Sequence, residues 1–107
     1  AVVEPLVTGN WASGFRVYVE PSLDPTSGYN AATDILIRQW SPLRNVTTVT
    51  GAPTRLAFDY RGMNVALSAT ATGRTPQTST VGFCISPSKR TLTINPGGFV
   101  QYADASC

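Results

Sequence analysis

Thr80-Val81-Gly82-Phe83-Cys84-Ile85 is followed by Ser86-Pro87-Ser88, then by Lys89-Arg90-Thr91-Leu92-Thr93-Ile94, then by Asn95-Pro96-Gly97-Gly98. Val81, Phe83 and Ile85 alternate with smaller or polar residues, and Leu92 and Ile94 alternate with Thr91 and Thr93. Alternation with period two marks strands that bury one face. Pro and Gly close each run, as turn residues do, because they supply restricted or positive φ. This stretch therefore predicts two consecutive strands, and the same pattern recurs outward from it. Phe15, Val17 and Val19 alternate with Arg16, Tyr18 and Glu20, and Leu56, Phe58 and Tyr60 alternate with Arg55, Ala57, Asp59 and Arg61. Asp34 to Trp40 is rich in β-formers and reads as a further strand. Gly9-Asn10, Pro21 to Gly28, Ser41-Pro42, Gly51-Ala52-Pro53, Arg61-Gly62 and Gly73 to Pro76 punctuate the chain at short intervals. The expected fold is mainly β, with two packed antiparallel sheets in a sandwich-like arrangement. Residues 1–107 are expected to form one domain, as their length suggests.

Composition excludes several chemistries. The chain has no His, so it holds no Ser-His-Asp triad, Cys-His pair or His-based metal site. Two Cys cannot build a structural zinc site or hold an iron–sulfur cluster. A net charge of +2 does not by itself imply nucleic acid. Glu20 and Asp59 are separate strand-end carboxylates, and nothing in the sequence makes them an acid/base pair. Trp11 and Trp40 read as packing residues. Asn45-Val46-Thr47 fits a glycosylation sequon, a pattern frequent by chance. No cofactor is expected.

Cys107 ends the chain, where an unattached thiol would fray with the terminus. A bridge between Cys84 and Cys107 would pin that end to the core, and it is favoured here over two unrelated thiols. Such a bridge implies an oxidising compartment. The loop from Glu20 to Asp34 carries Asp24, Asn30 and hydroxyls, the oxygen donors that calcium takes. It lacks the EF-hand pattern, and Pro21 and Pro25 stiffen it without metal, so it reads as a solvated loop with no metal site.

Three stretches in order resemble one family. They are Asn10-Trp11-Ala12-Ser13-Gly14-Phe15-Arg16-Val17-Tyr18-Val19-Glu20 with Asp34-Ile35-Leu36-Ile37-Arg38, then Leu56-Ala57-Phe58-Asp59-Tyr60-Arg61-Gly62, then Thr80 to Cys84 with Lys89 to Val100 and the closing Cys107. The set is similar to the globular domain of the GspH/FimT family, which comprises type II secretion pseudopilins and type IV pilus minor pilins of the FimU and FimT kind. The resemblance covers Asn10 to Cys107. It implies a type IV pilin-like α+β fold whose apolar N-terminal helix anchors the subunit in the inner membrane and packs into the filament. Nothing in these residues matches that helix, so it is expected to have been removed.

The resemblance further implies a non-enzymatic structural subunit. It would help to prime and cap a type IV pilus or a type II secretion pseudopilus, acting in pilus assembly, adhesion and twitching motility. Its partners would be other minor pilins and the major pilin. It would reside in the inner membrane and periplasm of a Gram-negative bacterium before assembly, and in the surface filament afterwards. Edge strands and the 21–33 loop are the expected contact surfaces. Some FimT-type pilins bind DNA through a Gly-Arg-x-Arg turn; the matching turn here is Gly97-Gly98-Phe99, without Arg. Lys89, Arg90 and Arg74 are the candidate DNA contacts, but Lys89 and Arg90 read first as an exposed, solubilising turn. DNA uptake in natural transformation is the alternative function, and a secreted β-sandwich that binds carbohydrate or peptide is a third.

Overall fold

The computed structural model describes residues 1–20, 28–46, 48–68 and 73–107. Their strands are β1 (Val2–Val7), β2 (Asn10–Val19), β3 (Ile35–Trp40), β4 (Thr48–Thr50), β5 (Leu56–Phe58), β6 (Asn64–Val65), β7 (Ser79–Ile85), β8 (Ser88–Ile94) and β9 (Val100–Ser106). They form two antiparallel sheets, one in the order β3-β2-β1-β5-β6 and the other in the order β4-β7-β8-β9. The mainly β, two-sheet expectation is met. Among the described residues no helix is long and apolar enough to cross a membrane.

The strands read from Val81–Ile85 and Leu92–Ile94 are β7 and β8, paired without a register break from Ser79↔Ile94 to Ile85↔Ser88. Their outward face is Thr-rich: Thr80, Thr91 and Thr93 alternate with the inward Val81, Leu92 and Ile94. Branched side chains suit such a pleated, half-wet surface.

The first sheet departs from the simple alternation. Tyr18 is fully buried, Glu20 is buried and Val19 is exposed, the reverse of the assignment that Phe15-Val17-Val19 suggested. The physical reason is that β1, β2 and β5 are covered on both faces along part of their length. One face places Val3, Phe15 and Phe58 around Trp11, Leu56 and Ile94 of the inter-sheet core. The other gathers Val2, Tyr18, Ala57 and Val65 beneath Tyr29, Met63 and Leu67. When both faces are dry, polarity no longer alternates. Tyr60, read as the last inward residue of its strand, is instead 97% exposed, because β5 ends at Phe58 and the chain turns.

Several polar groups within these layers find partners, although Asn64 Oδ1 accepts no hydrogen bond among the described residues. The Tyr18 hydroxyl donates to Glu4 Oε1, which also accepts the Tyr29 N–H at 3.1 Å and lies 3.6 Å from Arg55 Nε. Burial, followed by the bond to Glu4, pushes the Tyr18 phenol upward, so it stays a donor. Asn64 clasps the two sheets: its Nδ2 donates to Ser79 Oγ and to the Ile94 carbonyl, both at 3.1 Å.

The Asp59 turn follows from one carboxylate. Asp59 Oδ1 accepts the N–H groups of Arg61 (2.9 Å) and Met63 (3.1 Å), and Oδ2 accepts from the Arg61 guanidinium at 2.8 Å. Desolvation alone would raise this carboxyl's pKa, but the Arg61 side chain and the two N–H groups outweigh it and hold the pKa below the usual range. A carboxylate pKa depressed by folding adds stability above its unfolded pKa of about 3.9, and that stability is lost as pH falls through the folded value. Asp59→Asn keeps the Oδ1 acceptor and deletes the charge. Thermal melts should show a constant deficit for Asp59→Asn above about pH 5, shrinking to none in strong acid; a deficit independent of pH would contradict the charge's role.

Candidate assembly surface

The two sheets overlap only in part, and an apolar groove opens where they part. Phe15 of β2, Leu43 and Val46 of the 41–46 connection, and Phe83, Ile85 and Leu92 of the second sheet line about 470 Å³ of space. The sequence explains the groove. The β7–β8 turn at Ser86-Pro87 carries Ile85 beyond the edge of the first sheet, so Ile85 is half exposed while Val81, four residues earlier, is buried. Trp40 stacks on Phe15 with centroids 4.7 Å apart and fixes the first sheet's side of the opening. Inward, the groove continues toward an apolar cavity of about 150 Å³ that shares Phe15, Phe83 and Leu92 and reaches Trp11 and Leu56. The inter-sheet core is therefore incompletely filled on this side.

A charged rim borders the groove. Arg90 Nε lies 3.1 Å from Asp104 Oδ1, and its guanidinium stands 4.7 Å over the Tyr102 ring. Both partners are largely exposed, so this pair contributes at most about 1 kcal/mol. Its role is to orient the rim.

The residues singled out from sequence fall in separate places. Cys84 and Cys107 are joined, with Cα atoms 5.7 Å apart, and the bridge ties the last residue of the chain to β7 across β8. Lys89 and Arg90 are neighbours on β8 and so point to opposite faces. The Lys89 stem lies over Gly82 on the outer face, Arg90 pairs with Asp104 on the other, and both residues border the groove. Arg74 donates to the Ser68 carbonyl at 3.0 Å in a connection outside both sheets. Asp24, like the rest of 21–27, and Thr47 of the sequon lie outside the described residues. Asn30 closes a local turn, with its Oδ1 accepting the Ala32 N–H at 2.9 Å. Among the described residues no cluster of three acidic, His or Cys side chains could hold a metal. Trp11 donates its indole N–H to the Pro53 carbonyl at 2.8 Å within the core.

Sequence reading missed the groove. Leu43 and Val46 sit in a segment without periodicity, and only Ile85, one apolar residue past its buried partners, hinted at an uncovered end.

The family motifs meet at one end of the sandwich. The Phe58–Gly62 turn and the Asn95–Phe99 turn touch there, with the Asn64 N–H bonded to the Pro96 carbonyl at 3.0 Å. No curated protein and no solved structure matches the chain. The family model described as type II transport protein GspH matches residues 1–98, which hold the Phe58–Gly62 turn, the second turn as far as Gly98, the Gly14-Phe15 strand and the β7–β8 pair that shapes the groove. The chain belongs to the GspH family of type II transport proteins.

Proposed function

We propose that this domain is a minor pseudopilin or minor pilin subunit that helps to prime and cap filament assembly, and that the groove receives apolar side chains of a neighbouring subunit. The observation that carries the reading is the unfinished inter-sheet core. Phe83, Ile85 and Leu92 line a groove that shares Phe15, Phe83 and Leu92 with an apolar cavity behind it, and covering it would bury apolar area at about 25 cal/mol per Å². Exposed apolar concavities rimmed by polar groups are characteristic of docking sites. Family membership supports a structural role beside other pilin-like subunits at the cell envelope. In this reading the subunit waits in the inner membrane and periplasm and then moves into the filament. Assembly in a type II secretion system fits the matched family description most directly.

The test is complementation of secretion or piliation by the full-length gene carrying Ile85→Asp or Leu43→Asp. Both side chains are partly or largely exposed, so folding should survive, as circular dichroism would verify. A charge in the groove should lower co-purification with the other minor subunits at least tenfold, a loss of about 1.4 kcal/mol. Wild-type assembly by both variants would refute the groove as the contact.

A further inference from the structure

We propose that β9 is a self-pairing edge, through which two copies of this chain join their second sheets by antiparallel pairing centred on Ala103. This inference rests on the edge's backbone and side chains and is independent of the assembly role above.

The edges of the two sheets differ in how they are protected. β4 and β6 have three and two residues, too short to template a partner. β3 is bulged: Arg38 faces Val17 and Leu36 faces Tyr18, which leaves Ile37 as an extra residue on the edge strand. A bulge twists an edge away from pairing. β9 is neither short nor bulged, and its one charged residue, Asp104, is paired with Arg90 of β8. Its register with β8 is unbroken over seven pairs, from Ser88↔Ser106 to Ile94↔Val100. Val100–Ser106 contains no Lys, Arg or Pro, every residue is exposed, and the disulfide at Cys107 anchors its end.

The direction of its free hydrogen-bonding groups can be read from the structure. Phe99 O accepts from Asn95 N at 2.8 Å, and Cys107 N donates to Pro87 O at 3.1 Å, so the odd-numbered residues face β8. Val100, Tyr102, Asp104 and Ser106 therefore direct N–H and C=O to the open edge. A twofold axis at Ala103 pairs all four, Val100 with Ser106 and Tyr102 with Asp104 of the second copy. Each pair would exchange two backbone hydrogen bonds.

Side chains select the same register. With Ala103 at the centre, each Tyr102 lies opposite an Asp104 on the face where Arg90 already contacts both residue types. A phenol facing a carboxylate is a donor–acceptor match. Sliding the axis to Asp104 would oppose two carboxylates, which is unfavourable. Sliding it to Tyr102 would leave Ser106 unpaired.

Sedimentation velocity on this 107-residue chain, from micromolar to millimolar concentration, should show a dimer fraction that rises with concentration. Asp104→Pro removes one outward N–H without touching the β8 ladder and should weaken association at least about tenfold. Ala103→Cys places two thiols in a non-hydrogen-bonded pair with Cα atoms about 4.5 Å apart, inside disulfide range. Ala105→Cys leaves its two thiols about 14 Å apart along the strands. Under mild oxidation Ala103→Cys should cross-link and Ala105→Cys should not, with the Cys84–Cys107 bridge verified by peptide mapping. A chain that stays monomeric throughout overturns the proposal. So does a dimer indifferent to Asp104→Pro, or equal cross-linking of the two Cys variants, since the contact then lies elsewhere. A chain that is monomeric alone but accepts a strand from another subunit overturns self-pairing in favour of a foreign strand.

Discussion

Gly98→Ala should lower stability by roughly 2–5 kcal/mol, the sum of a positive-φ cost and an overpacking cost. Gly98 has φ +85°, a conformation that penalises any Cβ. A Cβ there would also collide with the Gly62 carbonyl oxygen, in the turn at the end of the other sheet. Neither backbone can yield easily. The Gly98 N–H is bonded to the Asn95 carbonyl at 2.9 Å and the Gly62 N–H to the Asp59 carbonyl at 2.9 Å. Gly9 and Gly62 supply the internal control. Both have positive φ, at +77° and +79°, yet a Cβ at either would meet nothing within 4 Å. Their Ala variants should therefore cost only the conformational term, about 1–2 kcal/mol. Urea denaturation of the three variants separates the effects: Gly98→Ala should fall well below the other two. Equal losses would show that contact between the two turns adds nothing.

That pair of turns also shows what could be read in the sequence and what could not. Asp59-Tyr60-Arg61-Gly62 and Asn95-Pro96-Gly97-Gly98 are each recognisable as turns, because Gly and Pro restrict the backbone locally. Their contact across the sandwich is a tertiary fact with no local signature. The strands follow the same division. β7 and β8 are legible because the second sheet is dry on one face only, so Val81 and Leu92 alternate with Thr80 and Thr91. β1 is not legible: Val2 and Val3 are apolar in succession because they enter different cores, and Pro5 speaks against a central strand. Pro5 is tolerated because β1 pairs with β5 only at Val2 and Val3, so no strand on that side needs a donor from it. β9 has no buried face to create a pattern, so Val100-Gln101-Tyr102-Ala103-Asp104-Ala105-Ser106 reads as nothing in particular until the β8 ladder is seen. The candidate surface was obscured for a related reason. An apolar residue lining an open groove, such as Ile85, carries the same letter as one in a core.

Removing the disulfide, by Cys84→Ala with Cys107→Ala, should destabilise the domain by up to about 3.5 kcal/mol, the chain-entropy value for a loop spanning 23 positions. For a domain of this size that corresponds to a fall in Tm of roughly 15–25 °C if the whole cost is global. The architecture argues that part of it will be local. β9 places no buried side chain in either core, so in the native state it is held by its ladder to β8 and by Cys107. Once the bridge is gone, β9 can open from its Ser106 end while Val81, Leu56 and Trp11 stay packed. Local opening of this kind needs far less free energy than global unfolding. Hydrogen exchange should therefore show the β8-bonded amides of Gln101, Ala103 and Ala105 losing protection first, with those of β1 and β2 changing only as the Tm does. The β8 edge would then be uncovered, and Asp104, the partner that orients Arg90 at the groove rim, would leave with β9. A bridge at the last residue thus acts on the surface that the subunit presents as well as on the fold. If protection in β9 and the Tm were both unchanged in the double variant, the ladder alone would suffice and the bridge would have no mechanical role.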